Sequence, residues 1–267
     1  MKLAFQEGES PAEPHLCWWL GRRLALPSGH LPMTVDQVVA ELQAHGSEQT
    51  KKTLLRHGAT EPCFGVKVGD LKVLLKRLKG DHTLALELYD TGISDAMYLA
   101  GLLADPGRMT KAQLKKWAKA APWQMIREHT VPGVAAESPF AVEVAEEWIA
   151  SPKEELATVG WPTYSLYVGI TPDEGLDLDR LRDLLWHCRD GIHEAANRTR
   201  YTMNGFVISV GSYVKPLLAE AKKAAKAMGE VSVDMGSPDC KVPRAAEYIA
   251  KVEKMKRVGT KRKSARC

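Results

Sequence analysis

The chain has 267 residues, enough for one sizeable core or a short solenoid, and its 37 Lys and Arg against 33 Asp and Glu leave a formal charge of only +4. No apolar run approaches the roughly 20 residues needed to span a bilayer. The five cysteines (Cys17, Cys63, Cys188, Cys240, Cys267) are odd in number and form no Cys-x-x-Cys pair, which argues against a disulfide scaffold and for free thiols in a reducing cytosol.

Residues 1–32 carry Pro11, Pro14, Pro27 and Pro32 without a helical period, and read as a disordered leader or a misassigned start. A targeting leader is the alternative, but the apolar stretch it needs is missing. Thr34 reads as the N-cap of a helix with Val35, Val38, Val39 and Leu42 on one side, ended by Gly46. Leu71, Leu74, Leu75 and Leu78 fall at i, i+3, i+4 and i+7 on one helical face, with Asp70 as N-cap and Gly80 as C-cap. Short helices follow at 83–89 and 95–103. Thr110 caps a helix that Pro122 breaks; 123–129 reads as a short helix, and Val131-Pro132-Gly133 as a turn.

Ser138-Pro139 opens a helix carrying Val142, Ala145, Trp148 and Ile149. Ser151-Pro152 opens another toward Val159, interrupted at Trp161-Pro162 before the apolar stretch 163–170. An acidic loop (172–177), a helix marked by Leu178, Leu181, Leu184 and Leu185, and a polar connector (189–198) lead to a helix near 200–213. Its run Phe206-Val207-Ile208-Ser209-Val210 is the best strand candidate, yet it lies in a longer helical-period window and reads as buried helix. Pro216 starts a helix ending at Met228-Gly229; a loop (230–239) and a last basic helix (243–257) complete the pattern.

On the order of a dozen short helices in antiparallel pairs predicts an all-α, HEAT-like or ARM-type helical-repeat solenoid, with a compact irregular bundle as the alternative. The expected organisation is a leader (1–32), a helical-repeat domain (33–250) and a basic flexible tail (251–267). That tail carries Lys251, Lys254, Lys256, Arg257, Lys261, Arg262, Lys263 and Arg266 against Glu253 alone, a pattern attracted to polyanions.

The phrases FGVKVGDL, LALELYDTG and AMYLAGLLADP within 64–106 resemble the DNA alkylation repair family of AlkD-like HEAT-repeat proteins. CKVP at 240–243 and the ending GTKRKSARC resemble a subgroup that departs from the glycosylase catalytic pattern. The resemblance implies a concave helical surface that cradles duplex DNA. In the glycosylase members it also implies excision of cationic alkylated purines, without base flipping, by two tryptophans and an aspartate. Trp123 matches the first tryptophan, but Arg127 stands where the aspartate belongs, and a guanidinium can neither serve as a base nor stabilise a sugar cation. The second tryptophan should fall near Asn204–Phe206, where none is found. Glu128, an i+1 neighbour of Arg127, is expected to point about 100° away on an α-helix. A core position is the alternative for Trp123.

Arg198 and Arg200 precede or open a helix, with Asn204 one turn on and Gly205 open to close approach, an arrangement read as a phosphate clamp. The alternative is a capping and salt-bridge network to Asp190 or Glu194. Cys240 beside Lys241 could be a nucleophile, but a buried structural cysteine before a proline-started helix is the preferred reading. His187, Cys188 and His193 match no zinc spacing, and no metal or cofactor is expected. The expected DNA-binding residues are Trp123, Arg127, Arg198, Arg200, Asn204, Lys215, Lys241, Lys261, Arg262 and Lys263.

The function expected is that of a monomeric, cytoplasmic (nucleoid-associated if bacterial) DNA-binding protein of alkylation repair, without membrane contact and without appreciable base excision. Two alternatives stand beside it: a HEAT-like protein-interaction scaffold, and an active alkylpurine DNA N-glycosylase with a relocated carboxylate.

Overall fold

The structure, a computed structural model, describes residues 33–78, 80–236 and 240–266; the expected leader lies outside the described residues. Thirteen α-helices run through them, and among the described residues there is no strand.

The first helices follow from their caps. Thr34 and Gln37 form a capping box at α1 (Val35–His45), which buries Val38 and Leu42. Ser47 caps α2 (Glu48–Arg56), a polar helix with no buried residue, which apolar periodicity could not find. α3 (Val68–Leu78) buries Leu71, Leu74 and Leu78, but begins two residues before Asp70, which sits in its first turn rather than at the cap. Asp81 caps α4 (His82–Asp90). α5 (Ser94–Leu103) follows; its Asp95 turns back to accept the amides of Phe64 and Val66 at 2.6 and 2.8 Å, pinning a loop some thirty residues earlier. A second capping box, Thr110 with Gln113, starts α6 (Lys111–Ala120).

The expected turn at Val131-Pro132-Gly133 is a helix. A π-helical turn (Ile126–Thr130) runs directly into α7 (Val131–Ala136). Pro132 falls within the first two positions of α7, where a missing amide is tolerated. Gly101 lets α5 close on this segment, because a Cβ there would lie 2.3 Å from the Thr130 methyl.

α8 (Ala141–Ile149) is crossed tightly by α9 (Glu154–Ile170), where a Cβ on Gly160 would sit 2.7 Å from the Ile149 amide. α9 continues through Pro162, so the expected interruption does not occur. Hydroxyls of Thr163 and Ser165, after the proline, donate across it to the carbonyls of Val159 and Trp161 at 2.8 Å, and Trp161 and Tyr164 anchor the helix in the core.

α10 (Leu178–Gly191) is capped by Asp177, α11 (Asn197–Tyr213) is the buried helix that includes Phe206, Val207 and Val210, and α12 (Leu218–Met228) and α13 (Ala245–Lys254) complete the set. Apolar side chains form two clusters, one from α1 to α7 and one from α9 to α13, with α8 and α9 contributing to both. Tyr89 and Trp117 stack at 4.0 Å in the first; Trp161 and Phe206 meet at 5.2 Å in the second.

The C-terminal segment is not the free tail that its charge predicts. The Arg262 amide bonds to the Gly169 carbonyl at 2.8 Å, and Lys261 pairs with Asp173 at 2.8 Å. Arg266 reaches Glu137 at 2.9 Å and gives Nη1 to the carbonyls of Gly101, Leu102 and Ala104 at the end of α5. Helix-end carbonyls are the natural partners of a cation. Charge patterning sees eight cations; it cannot see that several have carbonyls and carboxylates waiting for them.

Candidate nucleic-acid site

Trp123 stands at the boundary of two hollows. On one side it meets an apolar wall of Leu54, Val68, Leu71 and Met125. On the other it shares a polar pocket with Arg127, Glu128, Glu154, Glu155 and Arg198. The indole is 6 % exposed, and its Nε1 has no hydrogen-bond partner among the described residues. Arg127 folds back and donates Nε to the Ala121 carbonyl at 2.9 Å.

The expectation that Glu128 points away assumed α-helical winding. The π turn removes that assumption: Arg127 and Glu128 both line the pocket beside Trp123. Glu128 is 7 % exposed and takes both Nε and Nη2 of Arg198 on one oxygen, at 2.9 and 2.5 Å. Burial pushes its carboxyl up from the usual range, against the pull of the Arg198 guanidinium.

The phosphate clamp expected at α11 is already filled from within the protein. The Arg198 amide, at the positive end of α11, donates to Glu154 at 2.6 Å, so a carboxylate takes the place a phosphate would occupy. The Arg198 guanidinium is held by Glu128, lies 4.5 Å from the Tyr201 ring and meets the Met235 sulfur at 3.2 Å. Asn197 and Asp234 exchange hydrogen bonds of 2.8 Å, tying the loop after α12 to this helix start. A network therefore replaces the clamp, with Glu128 and Glu154 as partners rather than Asp190 or Glu194. Two cations against three carboxylates make the pocket a poor anion site.

Other expected contacts divide. Asn204 is 1 % exposed and donates to the Pro243 carbonyl at 2.8 Å, so it holds α11 to the segment before α13 and is not open to DNA. Arg200 is half-buried and gives Nη2 to Asn197. Lys261 is tied to Asp173 and the Val168 carbonyl. Lys215, Lys241 and Lys263 are exposed, and Arg262 is half-buried. Cys240 is exposed, not buried as preferred from sequence, and the helix after it starts at Ala245, beyond Pro243. His187 stacks on Trp161, Cys188 is fully buried, and His193 meets the Met228 carbonyl.

The polar helix α2 adds candidates that the sequence reading missed. Lys52 and Arg56 share one exposed face of α2, turned away from Leu54, and form no ion pair among the described residues. The signal for this helix was its Ser47 cap alone, without an apolar face to reinforce it.

Residues 38–236 match the sequence profile of the DNA alkylation repair enzyme family, and the chain belongs to that family. It is 35 % identical over 225 residues to the uncharacterised protein Lin0241 of Listeria innocua serovar 6a, covering 82 % of this chain and 97 % of the relative. A second uncharacterised relative, Lmo0209 of Listeria monocytogenes serovar 1/2a, is 34 % identical over the same shares. A solved structure covers 88 % of this chain and all of its own, with 37 % identity and a TM-score of 0.82. It is described as representing a new family of proteins related to the HEAT-like repeat DNA glycosylases, with affinity for branched DNA structures. The HEAT-like architecture is thereby shown, and the compact-bundle alternative set aside.

Proposed function

We propose that this protein binds branched DNA through backbone phosphates and does not excise alkylated bases. The observation that carries the reading is the 37 % identity, over the whole of its chain, to a relative described as having affinity for branched DNA. Contacts come from cations without an ion pair among the described residues, the exposed Lys52 and Arg56 on α2 with Lys215, Lys241 and Lys263 and the half-buried Arg262, and not from Arg198, which is held by Glu128. The absence of excision follows from Arg127 at the aspartate position and from the ion pair that occupies Glu128.

The test is fluorescence anisotropy with a labelled four-way junction and a duplex of equal length at two salt concentrations. Junction binding should exceed duplex binding by about tenfold and weaken steeply with salt. Equal affinities, or no binding at low salt, overturn the reading.

One observation favours a second reading. Glu128 lines the same pocket as Trp123, as a relocated catalytic carboxylate would. Release of methylated purines that survives Trp123→Phe but vanishes in Glu128→Gln supports it; no release from methylated DNA excludes it.

A further inference from the structure

α11 ends on Ser212 and Tyr213, and the chain leaving α13 returns over that end, where the Gly259 amide bonds to the Ser212 carbonyl at 2.9 Å. Between them lies an open pocket of about 260 Å³. Among the described residues its wall carries Lys251 and Arg257 and no carboxylate. Neither cation joins an ion pair among the described residues, although the neighbouring Glu253 is claimed by Lys222.

Two aromatic rings, Tyr213 and Tyr248, face the same space, and Tyr248 is 48 % exposed. Ser212 lines the same pocket and is 5 % exposed, with a buried hydroxyl that has no hydrogen-bond partner among the described residues. A buried hydroxyl left unpaired is uncommon enough to ask for a cause. Thr260 adds a second hydroxyl at the rim.

Cations without counterions, rings and hydroxyls around one hollow are the complement of a phosphate joined to a flat heterocycle. We propose that this pocket binds a nucleoside 5′-phosphate. The phosphate lies between Lys251 and Arg257, and the base stacks on a tyrosine ring. The site is separate from the Trp123 pocket: Arg198 and Ser212 stand at opposite ends of α11, about 21 Å apart along its axis. The nucleotide can be free or can be the phosphorylated end of a DNA strand, and the chemistry recognised is the same. The proposal does not depend on junction binding.

The experiment is calorimetric titration of the full chain with adenosine 5′-monophosphate, beside adenosine, in the wild type, in Lys251→Ala/Arg257→Ala and in Tyr248→Ala. Saturable binding is expected for the monophosphate and not for adenosine. The double variant should weaken it by about 100-fold, the loss of two charge-assisted hydrogen bonds, and Tyr248→Ala by about tenfold. These side chains are exposed, and circular dichroism verifies that the helices persist. Competition by a 5′-phosphorylated trinucleotide, with none from its 5′-hydroxyl form, assigns the site to strand ends; competition by neither assigns it to the free nucleotide. No saturation by about 10 mM monophosphate, or equal affinity in the folded double variant, overturns the proposal.

Discussion

Replacing Arg198 with alanine tests whether the Trp123 pocket is organised by one buried ion pair. Glu128 is 7 % exposed, and two guanidinium nitrogens lie 2.5 and 2.9 Å from one of its oxygens. At that range and an effective dielectric of ~20 their attraction is about 6 kcal/mol, much of which offsets the desolvation of both groups. Removing only the arginine leaves the carboxylate buried alone, at a cost of about 3–5 kcal/mol. For a folded body of this size each kcal/mol moves Tm by about 2–4 °C, so Arg198→Ala should melt roughly 6–20 °C lower. Glu154 loses nothing directly, because it accepts from the Arg198 backbone amide.

The pH dependence has a definite sign. Burial holds the folded pKa of Glu128 above its unfolded value, so the native state binds this proton more tightly than the unfolded chain does. The penalty for the ionised carboxylate is full above the folded pKa and is relieved as pH falls through it. Loss of Arg198 raises that pKa further, so the gap between wild type and variant should narrow from about pH 7 to about pH 5. Urea denaturation followed by circular dichroism at both pH values measures it. A loss below about 1 kcal/mol at neutral pH, or a gap that widens on acidification, refutes the reasoning. Glu128→Leu combined with Arg198→Met should recover most of the loss.

Truncation before Lys261 should lower Tm by several degrees in a calorimetric scan, because Arg266 bonds to Glu137 and to three carbonyls ending α5; no change would restore the flexible tail. Burial pushes the Glu137 carboxyl up, but Ser264, Arg266 and the Ala265 amide together hold it below its usual range. The contribution of Glu137 is therefore present above the unfolded pKa and lost as pH falls through the folded one, so the truncation effect should shrink in acid. Lys52→Ala with Arg56→Ala should reduce the salt dependence of junction binding by about 2 in log–log slope; an unchanged slope would move the contacts off α2. Deletion of residues 1–32 should leave Tm within about 2 °C, and a larger fall would place part of the fold in the leader.

The sequence spoke most clearly where local chemistry decides the outcome. The boxes Thr34–Gln37 and Thr110–Gln113 began helices where they were expected, and the leucines of α3 turned inward. The run at Phe206 was helix despite its β-branched residues, because its burial on α11 continues well beyond the apolar stretch. Long-range partners decided the rest. Pro162 did not break α9, since Trp161 and Tyr164 fix the helix in the core on both sides of it. Arg198 looked like a phosphate ligand because Glu128 lies 70 residues away in the chain. The family resemblance singled out Trp123 and Arg127, which line one pocket, but it could not show that Glu128 lines the same hollow.

The π turn at Ile126–Thr130 carries a consequence for how this pocket could change. Its wider ring holds one more residue than a regular turn, so deleting a single residue there would re-phase every side chain between Trp123 and Pro132. Glu128 would rotate off its partner, leaving an arginine without a counterion next to the indole. The charge balance of the hollow is thus set by the pitch of five residues as well as by their identities, because without Glu128 its two arginines would face only Glu154 and Glu155.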